Sequence, residues 1–199
     1  MVREDDESLE SLRAALQSAR VRIRELETQV ASLTRAAADD DNAPALLPRP
    51  AFNREVARLL AHDERYGGTS SLVYLTLEGL EVFAQRRGQA AAQAALRVTC
   101  DILLGNVRRS DIVGRLGPDE FGILLARCPS HEAWRKGEHL ACVVHEMLAK
   151  TLPLNGEGAE GLPLAIRFGA HTFGEREDVA TGLKRAAAAL TGMGESASE

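Results

Sequence analysis

GRLGPDEFGILL, residues 114–125, is the stretch that decides how the chain is read. An alternating apolar run stops at Gly117-Pro118, two carboxylates follow at Asp119 and Glu120, and the apolar pattern resumes at Phe121. Glycine and proline between two β-type runs signal a turn, so the spacing predicts strands over 111–116 and 119–126 joined by a two-residue loop. Paired acids beside a tight turn are also what metal-dependent phosphoryl transfer requires, because hard cations take oxygen ligands. Pro118 restricts the turn. Type I′ needs positive φ at both central residues, and proline is held at about −65°, which leaves type II′ with Gly117 first.

Outward from the hairpin, periodicity and breakers set the remaining elements. A helix is expected over 50–65, ending near Gly67-Gly68, then a buried strand over 71–77. A short helix over 79–87 and an alanine-rich one over 89–104 follow, the latter stopping at Gly105-Asn106. After the hairpin, Ser130 is placed to N-cap a helix over 131–149; a glycine-rich loop, a strand over 163–171 and a helix over 177–191 close the chain. The β-α-α-β-β-α-β-α order with one hairpin implies an α/β domain whose sheet is largely antiparallel.

The N-terminal part reads differently. Leu9, Leu12, Leu16, Ala19, Ile23, Leu26, Val30 and Leu33 keep a 3-4 repeat across residues 7–35. β-Branched residues at the later a positions and mostly Leu at d favour a parallel two-stranded coiled coil. A single amphipathic helix folded on its own domain is the alternative. It would carry a wider apolar stripe than this strict repeat shows. Three acids, an asparagine and three prolines then break the helix. The expected organisation is a dimeric coiled coil over 1–36, a linker over 37–49 and one domain over 50–199.

Bulk properties exclude several classes. Of the 199 residues 45% are apolar and 27% charged, and the formal net charge of −5 gives no pull toward nucleic acid or an anionic membrane. No apolar run approaches a membrane span, and the acidic start MVREDDESLE is unlike a secretory signal. Cys100, Cys128 and Cys142, odd in number and set in apolar stretches, read as reduced, buried thiols of a cytoplasmic protein.

The element order and the hairpin together resemble the GGDEF domain of the diguanylate cyclase family, over roughly residues 41–191. RLGPDEFGILL (115–125) stands for the family's RYGGDEF hairpin, and RRSD (108–111) falls at the spacing of its RxxD inhibitory site. RRGQAAAQAAL (86–96) stands for TYGHxxGDxxL, and DNAPALLPRPAF (41–52) for the DxLTGLPNRRxF lead-in. The resemblance implies a nucleotidyl-cyclase-like α/β domain with a largely antiparallel central sheet flanked by helices, preceded here by the long coiled-coil helix.

It also implies a site, and departures from it. In active members two Mg²⁺ ions, held by a strand-end Asp and the hairpin acids, activate a 3′-hydroxyl and neutralise a triphosphate. Here the strand-end position is Thr76, a neutral hydroxyl, and Glu78 matches the family's second acid. The guanine-reading Asn and Asp correspond to Ala84 and Gln93, and the phosphate-binding Lys to Gly194. Pro118 removes one backbone N–H and adds a ring where phosphate would approach. Gly117, Pro118, Asp119, Glu120 and Phe121 thus read as a vestigial catalytic hairpin, and Thr76 with Asp119 as a vestigial metal site. Asp119 and Glu120 also suit a plain solvated hairpin pair.

The RxxD pair, Arg108 and Asp111, is intact, and the resemblance implies that it binds cyclic di-GMP. The alternative has Asp111 capping a turn, with Arg108 and Arg109 as solvated charges. Arg135 is a weak stand-in for the family's second arginine, whose expected place lies near Val143 and His145. The expectation is a non-catalytic signalling protein: a cyclic di-GMP sensor, or a scaffold for an unknown protein partner, homodimeric through its coiled coil. No cofactor is expected, magnesium entering only if cyclase activity persists. The competing reading is a weakly active diguanylate cyclase making cyclic di-GMP from two GTP.

Two other signals are set aside. GEGAEG (156–161) matches a dinucleotide fingerprint literally but carries two glutamates and leads into Leu-Pro, not a helix. The five histidines show no zinc-ligand spacing.

Overall fold

The computed structural model describes residue 22, residues 46–152 and residues 164–192. The chain divides into two compact units, Met1–Ala43 and Pro44–Glu199. In the first, Arg22 is helical and exposed; the coiled-coil expectation for residues 7–35 otherwise lies outside the described residues.

In the second unit, β1 (Leu47–Pro48) leads directly into α1 (Arg49–Tyr66), with Pro50 in the first turn, where its missing N–H costs nothing. Gly67, at φ 76°, ends the helix. Then follow β2 (Ser71–Glu78), α2 (Leu80–Arg87), α3 (Gln89–Gly105), β3 (Ile112–Arg115) and β4 (Glu120–Leu125). The order closes with α4 (Ser130–Thr151), β5 (Ala165–Thr172), α5 (Val179–Ala188) and β6 (Thr191–Gly192).

The strands form one sheet in the order β1-β3-β4-β2-β5-β6. Every pairing is antiparallel except β1 with β3. β2 lies in the interior of the sheet and is buried along almost its whole length, as its apolar run requires. Its side chains alternate between two cores. Val73, Leu75 and Leu77 join Phe83 of α2, Leu103 of α3 and Leu140, Val144 and Leu148 of α4. Leu72 and Tyr74 face the other way, onto Phe52 and Val56 of α1 and Leu183 and Ala186 of α5. Burying each such aliphatic or aromatic side chain is worth about 1.5–3 kcal/mol.

Two glycines let α1 close on the sheet. Gly114 of β3 pairs with Gly122 of β4, and Phe52 lies across both. A Cβ on Gly114 would sit 2.6 Å from Phe52 Cδ2, and one on Gly122 2.8 Å from Phe52 Cζ.

The structure corrects several sequence expectations. Ser130 does not cap α4: it is the first helical residue, Pro129 holds the cap position, and no side chain bonds the first turn. The side-chain cap lies instead at α5, where Asp178 Oδ1 accepts from Thr181 N at 2.9 Å. The short strands β1 and β6 carry too few residues to show a period of two and were not anticipated. Cys100 is buried and Cys128 half-buried, but Cys142 is exposed on α4, its Sγ 3.7 Å from Glu146 Oε1; all three are free thiols. Apolar neighbours in sequence fall on more than one face of a helix, so they could not bury Cys142. No helix among the described residues is long and apolar enough to cross a membrane.

Candidate functional site

The hairpin is wider than its sequence suggests. β4 begins at Glu120, and Leu116 N donates to Glu120 O at 2.8 Å, so Gly117, Pro118 and Asp119 form a three-residue loop. Gly117 does not adopt positive φ, which excludes the type II′ turn. Pro118 takes the exposed middle position, where it disrupts no ladder bond. Arg115 fastens the loop from beneath, its Nε donating to Gly117 O at 3.2 Å and an Nη to Pro118 O at 2.7 Å.

Register brings the end of β2 against this loop. Thr76 stands opposite Glu120, and Leu77 N donates to Asp119 O at 2.9 Å. Thr76, Asp119, Glu120 and Glu78 therefore lie near one another. Their chemistry is more specific. Tyr74, on the same face of β2 as Thr76, donates its hydroxyl proton to the Glu120 carboxylate. That carboxylate folds back over Gly117: a Cβ there would lie 2.5 Å from Glu120 Oε2. Arg49 of α1 donates to Leu116 O at 3.4 Å and adds positive charge near Tyr74. Glu78 Oε2 pairs with Arg167 Nε of β5 at 3.2 Å. Burial pushes the Asp119 carboxyl up, and the charges of Glu120 and Glu78 push it further against the opposing pull of its own backbone N–H and Arg115. Among the described residues, no three His, Cys, Asp or Glu side chains converge as metal ligands.

The other expected positions are dispersed. Ala84 lies on α2 against the core, and its carbonyl accepts from Gly88 N at 2.8 Å. Gln93 is exposed on α3. Gly194 lies outside the described residues.

Arg108 and Asp111 form the turn between α3 and β3. Asp111 Oδ2 accepts from Arg108 N at 2.8 Å, Asp111 Oδ1 from Ala126 N at 3.2 Å, and Asp111 N donates to Arg108 O at 3.0 Å. The aspartate thus ties the start of β3 to the end of β4, while the Arg108 side chain is exposed. Sequence reading missed three features. Tyr74 looked like one more apolar strand residue. Arg127, just after β4, has φ 51°, which a pattern of residue types does not reveal. His171, Glu177 and Arg185 form a cluster because β5 and α5 meet there: His171 Nε2 lies 2.9 Å from Glu177 Oε1, and Arg185 3.2 Å from the same oxygen.

A three-layer α/β domain with acids at a strand-end hairpin and an Arg-turn-Asp at the far end of the same two strands is the frame of a nucleotidyl-cyclase-like protein. The family model "Diguanylate cyclase, GGDEF domain" matches residues 38–198, and the chain belongs to that family. It is 33% identical over 91 residues to the probable diguanylate cyclase DgcE of Escherichia coli K12, covering 46% of this chain and 8% of the relative. It is 29% identical over 127 residues to the diguanylate cyclase DosC of the same strain, covering 64% of this chain and 26% of the relative. The chain therefore spans about a quarter or less of these relatives' length. Among solved structures, the coiled coil and GGDEF domain of DgcB from Caulobacter crescentus, in complex with c-di-GMP, superimposes with a TM-score of 0.64 at 19% identity. That match covers 89% of this chain and 91% of the other, and at this identity it speaks for the fold.

Proposed function

We propose that this GGDEF domain is a non-catalytic regulatory module that acts by binding, with cyclic di-GMP as its ligand at the Arg108–Asp111 turn. The observation that carries the first half is the pairing of Thr76 with a Glu120 already engaged by Tyr74. A magnesium pair needs ionised carboxylates free to converge. The residues present do not fit one: Thr76 is neutral, Glu78 is turned to Arg167, Glu120 is held by Tyr74, and burial disfavours the charged form of Asp119. Ala84 has no group to read a base edge, so triphosphate and guanine both lack their partners.

The second half rests on Arg108. Its guanidinium is exposed and can grip a phosphate bidentately, while Asp111 rigidifies the turn that presents it. The c-di-GMP complex of DgcB supports this choice of ligand. Homodimerisation through the residue 7–35 repeat belongs to the same proposal; removing residues 1–40 should convert a sedimenting dimer into a monomer. The test of function is a calorimetric titration with GTP and with cyclic di-GMP. Binding of cyclic di-GMP alone is expected. GTP turnover overturns the non-catalytic reading, and no heat with cyclic di-GMP at high micromolar concentration leaves a protein scaffold.

A further inference from the structure

Thr76 is not the only residue that makes the hairpin unfit for a cation. Glu120 stands opposite Thr76 and Gly122 opposite Tyr74, so Tyr74 and Glu120 are diagonal neighbours on one face of the sheet, within reach of an aromatic side chain. With glycine across from it, Tyr74 has no β4 side chain between its ring and Glu120. Tyr74 is 8% exposed and belongs to the same buried cluster as Phe52 and Leu116. A buried phenol hydroxyl needs a partner, and the Glu120 carboxylate is the one it finds.

The backbone fixes where that carboxylate lies. Leu116 N and Gly117 N both donate to Glu120 O, at 2.8 and 3.3 Å, which folds the loop against Glu120. The side chain then lies over Gly117: a Cβ there would meet Glu120 Oε2, Cδ and Cγ at 2.5, 3.1 and 3.2 Å. Arg49 Nη1 donates to Leu116 O at 3.4 Å and brings its guanidinium to the edge of the same loop. Glu120 thus has a hydrogen-bond donor on one side, bare backbone beneath it and a cation nearby.

We propose that Tyr74 and Arg49 take the place of a divalent cation at the Glu120 carboxylate, so that Tyr74, as much as Thr76, decides that the hairpin holds no metal. This rests on the non-catalytic reading and assigns its cause at the hairpin. Turning Glu120 toward a cation at position 76 breaks its charge-assisted hydrogen bond and leaves the phenol buried without an acceptor. A carboxylate introduced at position 76 meets the same obstacle.

The experiment titrates the full chain with Mn²⁺ alone, followed by calorimetry and by the paramagnetic resonance of the free ion. Thr76→Asp should bind weakly. Thr76→Asp combined with Tyr74→Phe should bind about tenfold or more tighter, the fold-change that corresponds to releasing one hydrogen bond to a charged group. Adding Glu120→Gln should remove that gain, because the freed carboxylate is its source. Mn²⁺ should also raise the melting temperature of the double variant more than that of Thr76→Asp. Equal Mn²⁺ affinity in the single and double variants overturns the latch and leaves the non-catalytic reading standing, as does a gain that survives Glu120→Gln. Cyclic di-GMP formation from GTP by the unmodified chain overturns the non-catalytic reading, and the latch with it.

Discussion

The Tyr74 hydroxyl, in the middle of β2, donates a hydrogen bond to the carboxylate of Glu120, the second acid of the hairpin. Burial pushes the phenol far above its ordinary pKa, and the bond to Glu120 and the charge of that carboxylate push it further. The bond makes Glu120 part of the packing between β2, the hairpin and α1. Tyr74→Phe leaves that half-buried carboxylate without its donor. A hydrogen bond to a charged group is worth about 1.5–3 kcal/mol, and partial exposure places the expected loss near the lower figure. Urea unfolding at neutral pH measures it; unchanged stability would show Glu120 to be solvated instead.

The same bond bears on catalysis. We expect no cyclic di-GMP from GTP with Mg²⁺ or Mn²⁺, and none from the Thr76→Asp, Pro118→Gly double variant. Restoring one carboxylate and one glycine leaves Glu120 on Tyr74, Glu78 on Arg167, and alanine and glutamine at positions 84 and 93. Each missing electrostatic contact commonly costs about 10²–10³ in rate. Product formation by the unmodified protein, read by chromatography of the nucleotides, refutes the non-catalytic assignment.

What the sequence made legible was periodicity and spacing. The alternation around Gly117-Pro118 located the hairpin, and the continuous apolar run 71–77 marked a strand buried on both faces, because burial is written directly into residue type. Turn geometry was less legible. Gly-Pro is compatible with several loops, and the choice of a three-residue one depends on Arg115 binding the Gly117 and Pro118 carbonyls, a contact within the folded hairpin. Thr76, Ala84 and Gln93, at the positions the resemblance aligns with the family's site, were readable as letters. That Glu120 is engaged by Tyr74 was not, since a strand tyrosine and a hairpin glutamate meet only through cross-strand register.

Gly122 tests how tightly α1 is set on the hairpin. A methyl group there would fall 2.8 Å from Phe52 Cζ and 3.0 Å from Leu116 Cδ1, both in a well-packed core. Overpacking of this kind typically costs about 1–3 kcal/mol. Gly122→Ala should therefore lower the denaturation midpoint. The partner substitution Phe52→Leu should relieve part of the clash, so the double variant should lie above the sum of the two single losses. Additive losses would show that Phe52 is not what Gly122 accommodates.

At the opposite end of the sheet, Glu177 gives the fold an acid-sensitive contact. Its side chain is 7% exposed, bonded to His171 Nε2 at 2.9 and 3.0 Å and to Gly174 N at 3.0 Å, and paired with Arg185 at 3.2 Å. Burial raises the carboxyl's pKa, but the Gly174 N–H, the His171 ring and Arg185 outweigh it and hold the group below its ordinary value of 4.5. A lowered acid means that the unfolded chain binds more protons than the folded one as the pH passes through this range. Stability from Glu177 is thus fully present above the ordinary value and is lost as the pH falls below it through the folded-state pKa. Glu177→Gln keeps the shape and removes the charge. It should cost about 2 kcal/mol at neutral pH, a charged hydrogen bond's worth, and progressively less in acid. Denaturant unfolding of both proteins across a pH series isolates this contact, because every other carboxylate is common to the two. The two stability curves should converge below pH 4.5; a constant gap down to the acid limit would mean that the loss in Glu177→Gln does not come from removing the ionised carboxylate.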